Sequence, residues 1–437
     1  MLTLESLAAG VANNDAAAAL SGQEISAQVR QMRSAECPAC GFHVGAPFYD
    51  GGKQPLAMIA WPASQVEAQT MPRLPLDFVR CVDCGHVFNA AFDYSNVPYS
   101  AKPNLMFNRG ASWSGFIRQL REETLARVPA APTIVEIGHG DGHFLAALAE
   151  ARPAGRYIGF DPHGAQHAGA SNVELRAALF DPFRHIPELK PDMIVSRHVL
   201  EHLTSPLSLL QGINFAAALL QREVQLYFEV PCIDRAVEVG RLGDFYYEHY
   251  SHFTTQSFQK MLARSQFRLE ELGHGYNGEV VYAFLGTEYF ADQVLRLRAA
   301  TDFFCTARKS PAKISGQLDE IYRSGKRAAI WGGVGKCAAF LNAYGIDAFR
   351  FPLVVDSDEG KTGTYVPGSG QMIRPARVLK QEPVDLVIVA AQWRAKDIVA
   401  EMEKLGLDCE VLLEHEGRLV NYYTADHPYR AAARNCH

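Results

Sequence analysis

Apolar and polar positions along the chain change rhythm several times. From residue 101 to about 285, short apolar runs alternate with stretches that carry helical periodicity. "TIVEI" reads as a buried strand rich in β-branched residues, and "HFLAALAE" behind it repeats its apolar positions at helical spacing. "RYIGFD" is a second apolar strand, residues 193–196 of "PDMIVSRHVLEHL" a third, and "VQLYFEVPC" a further one. Strands and helices in alternation imply a mainly parallel sheet covered on both faces. The rhythm returns in "KRAAIWGGVGKCAAFLNAYGI", "FPLVVDSDEG" and "VDLVIVAAQW", so a second parallel sheet is expected from about residue 310. Between residues 36 and 100 no period persists; "PFYDGG", "WPAS" and "MPRLPLDF" read as loops and short strands. The alanine-rich residues 1–35 read as a helical or mobile extension. The expectation is an α/β protein: an extension (1–35), a small module (36–100), a central Rossmann-like domain (101–290) and a C-terminal Rossmann-like domain (291–437).

Composition narrows the partners. Of 437 residues, 48% are hydrophobic and 21% charged, enough for two or three cored domains. A net charge of -6 and a pI near 6.2 provide no basic face for nucleic acid or an anionic membrane, so a small-molecule ligand is expected, bound by a monomer or homodimer. The most apolar tract, "LSLLQGINFAAALLQ", is broken by Gln and Asn, and no membrane span is expected. The N-terminus has neither a basic n-region nor an unbroken apolar h-region. With nine cysteines, an odd number, this predicts a cytoplasmic protein without a disulfide framework.

Four of those cysteines form two tight pairs, "CPACG" (Cys37, Cys40) and "CVDCGHVF" (Cys81, Cys84). A glycine after each second cysteine lets the backbone turn its N–H groups toward the thiolates. Two such knuckles supply four sulfurs in tetrahedral array to a structural Zn2+, leaving no open position for catalysis. The alternatives are buried free thiols or a redox pair. His43 and His86, close to the knuckles, read as solvated.

The loop "GHGDG" sets Gly138, Gly140 and Gly142 at alternate positions between a strand and a helix, where a ligand approaches the backbone and meets the helix N-terminus. Such a loop suits NAD, FAD or S-adenosylmethionine. Glu136 before it and Asp141 within it favour a sulfonium-bearing ligand over a pyrophosphate. Asp161, about 20 residues on, is placed to accept hydrogen bonds from ribose hydroxyls. His198, Glu201 and His202 also match the H-x-x-E-H pattern of zinc peptidases. At the C-terminal end of a strand, however, those residues would line a cofactor crevice.

These motifs resemble the deoxysugar C-methyltransferases of bacterial branched-sugar and antibiotic biosynthesis. That family joins a cysteine-rich zinc domain, a class I S-adenosylmethionine-dependent methyltransferase domain and a C-terminal Rossmann-like domain. "VEIGHGDG" is similar to the family's cofactor loop, "HVLEHL" to its post-strand motif and "YYEHYSHF" to its Tyr-x-Glu-His-x-x-x-Phe signature. The resemblance covers about residues 36–420 and implies that Tyr246, Glu248 and His249 are active-site residues, with His249 the base. It also implies a tyrosine after the zinc domain, either Tyr94 or Tyr99. The implied substrate is a nucleotide-linked keto-deoxysugar, methylated next to its ketone. His139 and His143 depart from the small or polar residues usual in the family's loop, and the alanine-rich extension is not part of its pattern.

Carbon methylation requires a base to remove the proton beside a carbonyl and a donor for the enolate oxygen. His249 suits the first task; Glu248 or another acid would orient its ring. Tyr246, or a tyrosine of the 94–99 segment, suits the second. If the segment turns, Tyr246 and His249 face one ligand; if it is extended, Tyr246 and Glu248 share a face. The alternatives are O-methylation, methylation of a non-sugar carbon acid, or a non-catalytic protein that binds a nucleotide-sugar or a partner. An aromatic rim with no catalytic role also accounts for "YYEHY". In the C-terminal domain, "GGVGKC" is not a Walker A loop, since Ile330 and Cys337 stand where Gly and Ser/Thr belong. Gly332, Gly333 and Gly335 either hold a phosphate or permit close packing.

Overall fold

The computed structural model describes residues 29–59, 61–97, 110–164 and 170–430. It divides into two compact units, residues 1–290 and 291–437.

In the first unit, β1 (Arg33–Ser34), β2 (Val44–Gln54), β3 (Leu74–Cys81) and β4 (Val87–Asn89) form an antiparallel sheet around the cysteine pairs. β2 and β3 are longer than the short strands expected of a Pro- and Gly-rich region. Register shifts between Pro47 and Tyr49 and between Asp50 and Gly52 take up the irregular residues as bulges. The six-residue helix α1 (Gln65–Thr70) follows β2, capped by the Ser64 side chain.

The larger sheet contains β5 (Thr133–Ile137), β6 (Arg156–Asp161), β7 (Val173–Ala177), β8 (Met193–Arg197) and β9 (Gln225–Pro231). The two-residue strand β10 (Ser251–His252) belongs to the cysteine module, where it pairs antiparallel with β4. β11 (Arg268–Gly275) and β12 (Val280–Gly286) complete the large sheet, whose order is β11-β12-β9-β8-β5-β6-β7. β5 to β9 run parallel, and β12 is antiparallel to β9. Side-chain alternation splits the core into two faces. Ile134, Tyr157, Met193, Val195 and Tyr227 pack against helices α2 (Ala111–Ala126) and α3 (His143–Ala151). Val135, Ile158, Ile194, Leu226 and Phe228 pack with α4 (Pro182–Leu189), α5 (Pro206–Leu219) and, beyond the six-residue α6 (Asp234–Val239), α7 (Thr255–Arg264). A sheet buried on both faces by this alternation is the doubly wound arrangement expected.

The second unit opens with α8 (Ala291–Arg323), a 33-residue helix that contains Pro311. Its sheet, β15-β14-β13-β16-β17-β18, comprises β13 (Ala328–Trp331), β14 (Val354–Asp356), β15 (Ile373–Pro375), β16 (Leu386–Val389), β17 (Glu410–His415) and β18 (Arg418–Asn421). Only β18 is antiparallel. Between β13 and α9 (Lys336–Ala343) the glycine turn serves packing at two positions. A Cβ on Gly332 would lie 2.5 Å from Cys337 Sγ, and one on Gly333 2.7 Å from Ile373 Cδ1. Gly335, at φ +64°, faces open space.

No helix among the described residues is long and apolar enough to cross a membrane.

Candidate active site

The large sheet reverses its strand order at β5 and β8, and crevices form beyond the carboxyl ends of strands at such a switch point. Here a cavity of about 1050 Å3 opens, lined among others by Glu136, Gly140, Asp161, His198, Tyr246 and His249. Its volume sits at the upper end of the roughly 300–1,000 Å3 typical of small-molecule sites, room for more than one small ligand.

The glycine loop is shaped by close approach. Gly138, at φ +76°, has Val199 against it, and a Cβ there would fall 2.2 Å from Val199 Cγ2. The loop is tied to β6: the Gly138 N–H donates to the Phe160 carbonyl at 2.7 Å and the Gly140 N–H to Asp161 Oδ2 at 3.2 Å. Asp161 Oδ1 accepts from the His163 N–H. Both loop histidines have a local explanation. His139 is buried against Gly159, where a Cβ would overlap its ring, and donates from Nδ1 to the Gly140 carbonyl. His143 is exposed and pairs with Asp141 at 2.9 Å.

Beneath the loop lies a buried ionic cluster. Glu229, wholly buried, meets Arg197 Nε at 3.1 Å, His198 Nε2 at 3.2 Å and the Tyr227 hydroxyl at 2.5 Å. Burial alone would raise its carboxyl, but Arg197 and His198 bring it down to about 2. Burial opposes charge on His198 as well, yet Glu201 and Glu229 raise it to about 9, so it is an imidazolium at neutral pH. Glu136 responds in the opposite direction. Burial pushes it up to about 8 despite Arg197 at 3.8 Å, leaving it mostly protonated near pH 7. In this state Glu136 carries little of the negative charge expected of it beside the loop. The backbone of His198 is left-handed, φ +53°, a strained conformation of the kind that gathers at functional sites.

Residues 246–249 form a turn, which resolves the geometric choice left open by the sequence. The Tyr246 hydroxyl and His249 Nε2 lie 2.9 Å apart, both residues lining the cavity. Burial, followed by the neighbouring His202, His252 and His198, holds His249 well below the usual histidine range, so its ring is neutral. Burial raises the Tyr246 phenol, keeping it protonated. Glu248 points elsewhere: its Oε1 accepts the N–H groups of Ala57, Met58 and Ile59 at 2.8, 2.7 and 3.3 Å. Rather than contacting the His249 ring through this oxygen, it clamps a loop of the cysteine module onto the turn. Its backbone carbonyl accepts from His202 Nδ1 at 2.9 Å. Tyr247 anchors the segment on its other side, its hydroxyl accepting from the Asp93 N–H at 2.8 Å. The next turn carries Tyr94, half exposed at the cavity. Tyr99 lies outside the described residues.

Two residues named in the H-x-x-E-H pattern gain a partner that local sequence did not show. Glu201 and His202 converge on His249, their ligand-capable atoms within 4.8 Å of one another, and the His202 and His249 rings meet edge to face. Trp113 and Arg121 from α2 and Met58 from the cysteine module also line the cavity. None of these three carries a motif.

Cys37, Cys40, Cys81 and Cys84 form one buried cluster. Cys37 Sγ is 3.6 Å from Cys84 Sγ, and Cys40 Sγ 3.6 Å from Cys81 Sγ. A tetrahedron with Zn–S bonds of about 2.3 Å has edges of about 3.8 Å, so the cluster fits zinc. Backbone N–H groups of Ala39, Phe42 and His86 aim at Cys37, Cys40 and Cys84. His86 is wholly buried rather than solvated, its ring packed between those of Phe88 and Phe253.

We expect Glu248→Gln to weaken the clamp. The amide keeps one acceptor but loses the charge that favours three N–H donors, a cost of roughly 1–3 kcal/mol. A lower denaturation midpoint, with a reduced turnover number and little change in donor affinity, is the expected outcome; unchanged stability would mean that the contact carries no load.

Comparison with known proteins identifies two domains. Residues 110–272 match the model of a methyltransferase domain, and residues 271–410 that of a C-methyltransferase C-terminal domain. No curated protein matches the chain. Solved structures that resemble it include an S-adenosylmethionine-dependent methyltransferase from Aquifex aeolicus, at 14% identity and TM-score 0.29, covering 41% of this chain and 100% of the other. Magnesium protoporphyrin IX methyltransferase from Synechocystis with bound S-adenosylhomocysteine is similar at 15% identity and TM-score 0.31, covering 40% and 84%. The protein is a methyltransferase. It carries the C-terminal domain described for C-methyltransferases.

Proposed function

We propose that this methyltransferase moves a methyl group from S-adenosylmethionine to the carbon next to the ketone of a nucleotide-linked deoxysugar. One observation carries the carbon-acid chemistry: a neutral, buried imidazole and a protonated phenol, 2.9 Å apart, face the same cavity as the glycine loop. His249 takes the proton as the C–H bond breaks, and the electron pair moves onto the ketone oxygen. Tyr246 or Tyr94 donates a hydrogen bond to the enolate. The enolate carbon then attacks the methyl group; the C–C bond forms while the S–CH3 pair returns to sulfur, releasing S-adenosylhomocysteine. Asp161 receives the ribose, and Gly138, Gly140, Asp141, Glu136 and His198 surround the rest of the donor. The nucleotide-linked sugar rests on the motif resemblance of "YYEHYSHF" together with the match of the C-terminal domain. Zinc on the four cysteines is structural: four sulfurs leave no position for substrate.

The test is proton NMR in D2O with a panel of nucleotide-linked 4-keto-6-deoxy sugars and S-adenosylhomocysteine. Deuterium should enter beside the ketone without methylation, and methylation should follow when the donor replaces the product. Because burial and neighbouring histidines hold His249 below about 6.5, the exchange rate should stay flat from pH 8 down through that value. It should fall only at lower pH, where the base becomes protonated. Donor binding without exchange of any sugar, or a methyl group found on oxygen, would move the acceptor to another class.

A further inference from the structure

Helix α2 directs Trp113, Ile117 and Arg121 into the cavity, four residues apart and therefore on one face. The first two are apolar; Arg121 is a permanent cation. Among the described residues of the first unit, every other half-buried arginine has a partner. Arg127 pairs with Glu271, Arg176 with Glu174, Arg197 with Glu229, Arg222 with Asp192 and Arg241 with Asp244 and Glu279, while Arg80 and Arg152 donate to backbone carbonyls. Arg121 has neither a carboxylate nor a carbonyl acceptor among those residues. The cavity's other arginine, Arg197, is neutralised by Glu229 and adjoins Glu136. An unpaired guanidinium facing a ligand cavity is a ready-made site for an oxyanion, which it binds through a planar fork of donors.

We infer that Arg121 is the anion-binding residue of this cavity, taking a carboxylate or phosphate of a bound ligand. The inference rests on the donor occupying the cavity. Two sources share the chemistry: the α-carboxylate of the donor's methionine part and the phosphates of the acceptor. Either would supply the negative group that the helix face lacks. The apolar neighbours Trp113 and Ile117 exclude water from the pair and strengthen it.

The experiment compares the full-length protein with Arg121→Gln and Arg121→Lys by calorimetry, using S-adenosylhomocysteine, 5′-methylthioadenosine and thymidine diphosphate. Methylthioadenosine keeps the nucleoside but has no carboxylate. If the donor supplies the anion, Arg121→Gln weakens S-adenosylhomocysteine about 10- to 100-fold, the worth of a charged hydrogen bond. Methylthioadenosine then binds unchanged, and Arg121→Lys recovers part of the loss. If the acceptor supplies it, thymidine diphosphate alone weakens. Equal affinities for all three ligands in wild type and Arg121→Gln overturn the inference. Failure of the wild type to bind either nucleoside instead overturns the placement of the donor. Unchanged melting temperatures establish that the variants fold.

Discussion

Replacement of His249 by alanine is expected to slow methyl transfer by roughly 10²- to 10⁴-fold, the usual contribution of a general base, while S-adenosylhomocysteine binds as tightly as to the wild type. The two effects separate because His249 belongs to the turn and the glycine loop to β5 and α3. Loss of the ring leaves the Tyr246 hydroxyl without its 2.9 Å partner but removes no contact of Gly138, Gly140 or Asp161. Deuterium exchange beside the ketone should fall with methylation and by the same factor, since both need the same proton removed. His249→Gln is the sharper control, replacing the ring by an amide of similar reach that cannot accept a proton at neutral pH. If exchange persists at the wild-type rate in both variants, the base lies elsewhere, and His202, which lines the same cavity and meets the His249 ring edge to face, is the next candidate. If exchange persists while methylation stops, His249 positions the enolate rather than forming it.

The parts legible in the sequence were those written in local pattern. The glycine loop lies between a five-residue apolar run and a helix whose apolar positions repeat, and the fold needs those glycines where Val199 and β6 close on the backbone. The cysteine pairs are likewise self-contained. What local pattern could not show was pairing at long range. Ser251–His252 is too short to display a strand's alternation, yet it completes the cysteine module's sheet. Glu248 reaches a loop 189 to 191 residues earlier, so its nearness to His249 in sequence suggested a ring-orienting role, whereas its Oε1 serves Ala57, Met58 and Ile59. Pro311 punctuates α8, and the alternation of strand and helix gave no reason to expect 33 residues of unbroken helix before β13. The charge on Glu136 was also invisible, because burial first, then the carboxylates that the fold gathers around it, raise its carboxyl to about 8.

That long-range pairing makes the second large effect predictable. Cys81→Ser, or removal of metal with a strong chelator, is expected to abolish methyl transfer while the donor still binds. Structural zinc contributes about 10–16 kcal/mol in small zinc modules, as much as the whole stability of a typical domain, so the cysteine module should unfold without it. Its contacts with the site would then go together. β10 loses β4, Glu248 loses the three N–H groups of residues 57–59, and Tyr247 loses the Asp93 N–H. The turn carrying Tyr246 and His249 is anchored by each of these, whereas the glycine loop is held by Phe160 and Asp161 of the central sheet. The measurements are metal content by mass spectrometry, thermal unfolding and calorimetry with S-adenosylhomocysteine. About one zinc per wild-type chain, none in Cys81→Ser, a new low-temperature unfolding step and retained donor binding are the expected set. Full activity in a metal-free chain would show that the four cysteines hold the module without an ion. Joint loss of activity and donor binding would show that the cysteine module supports the whole unit, not the turn alone.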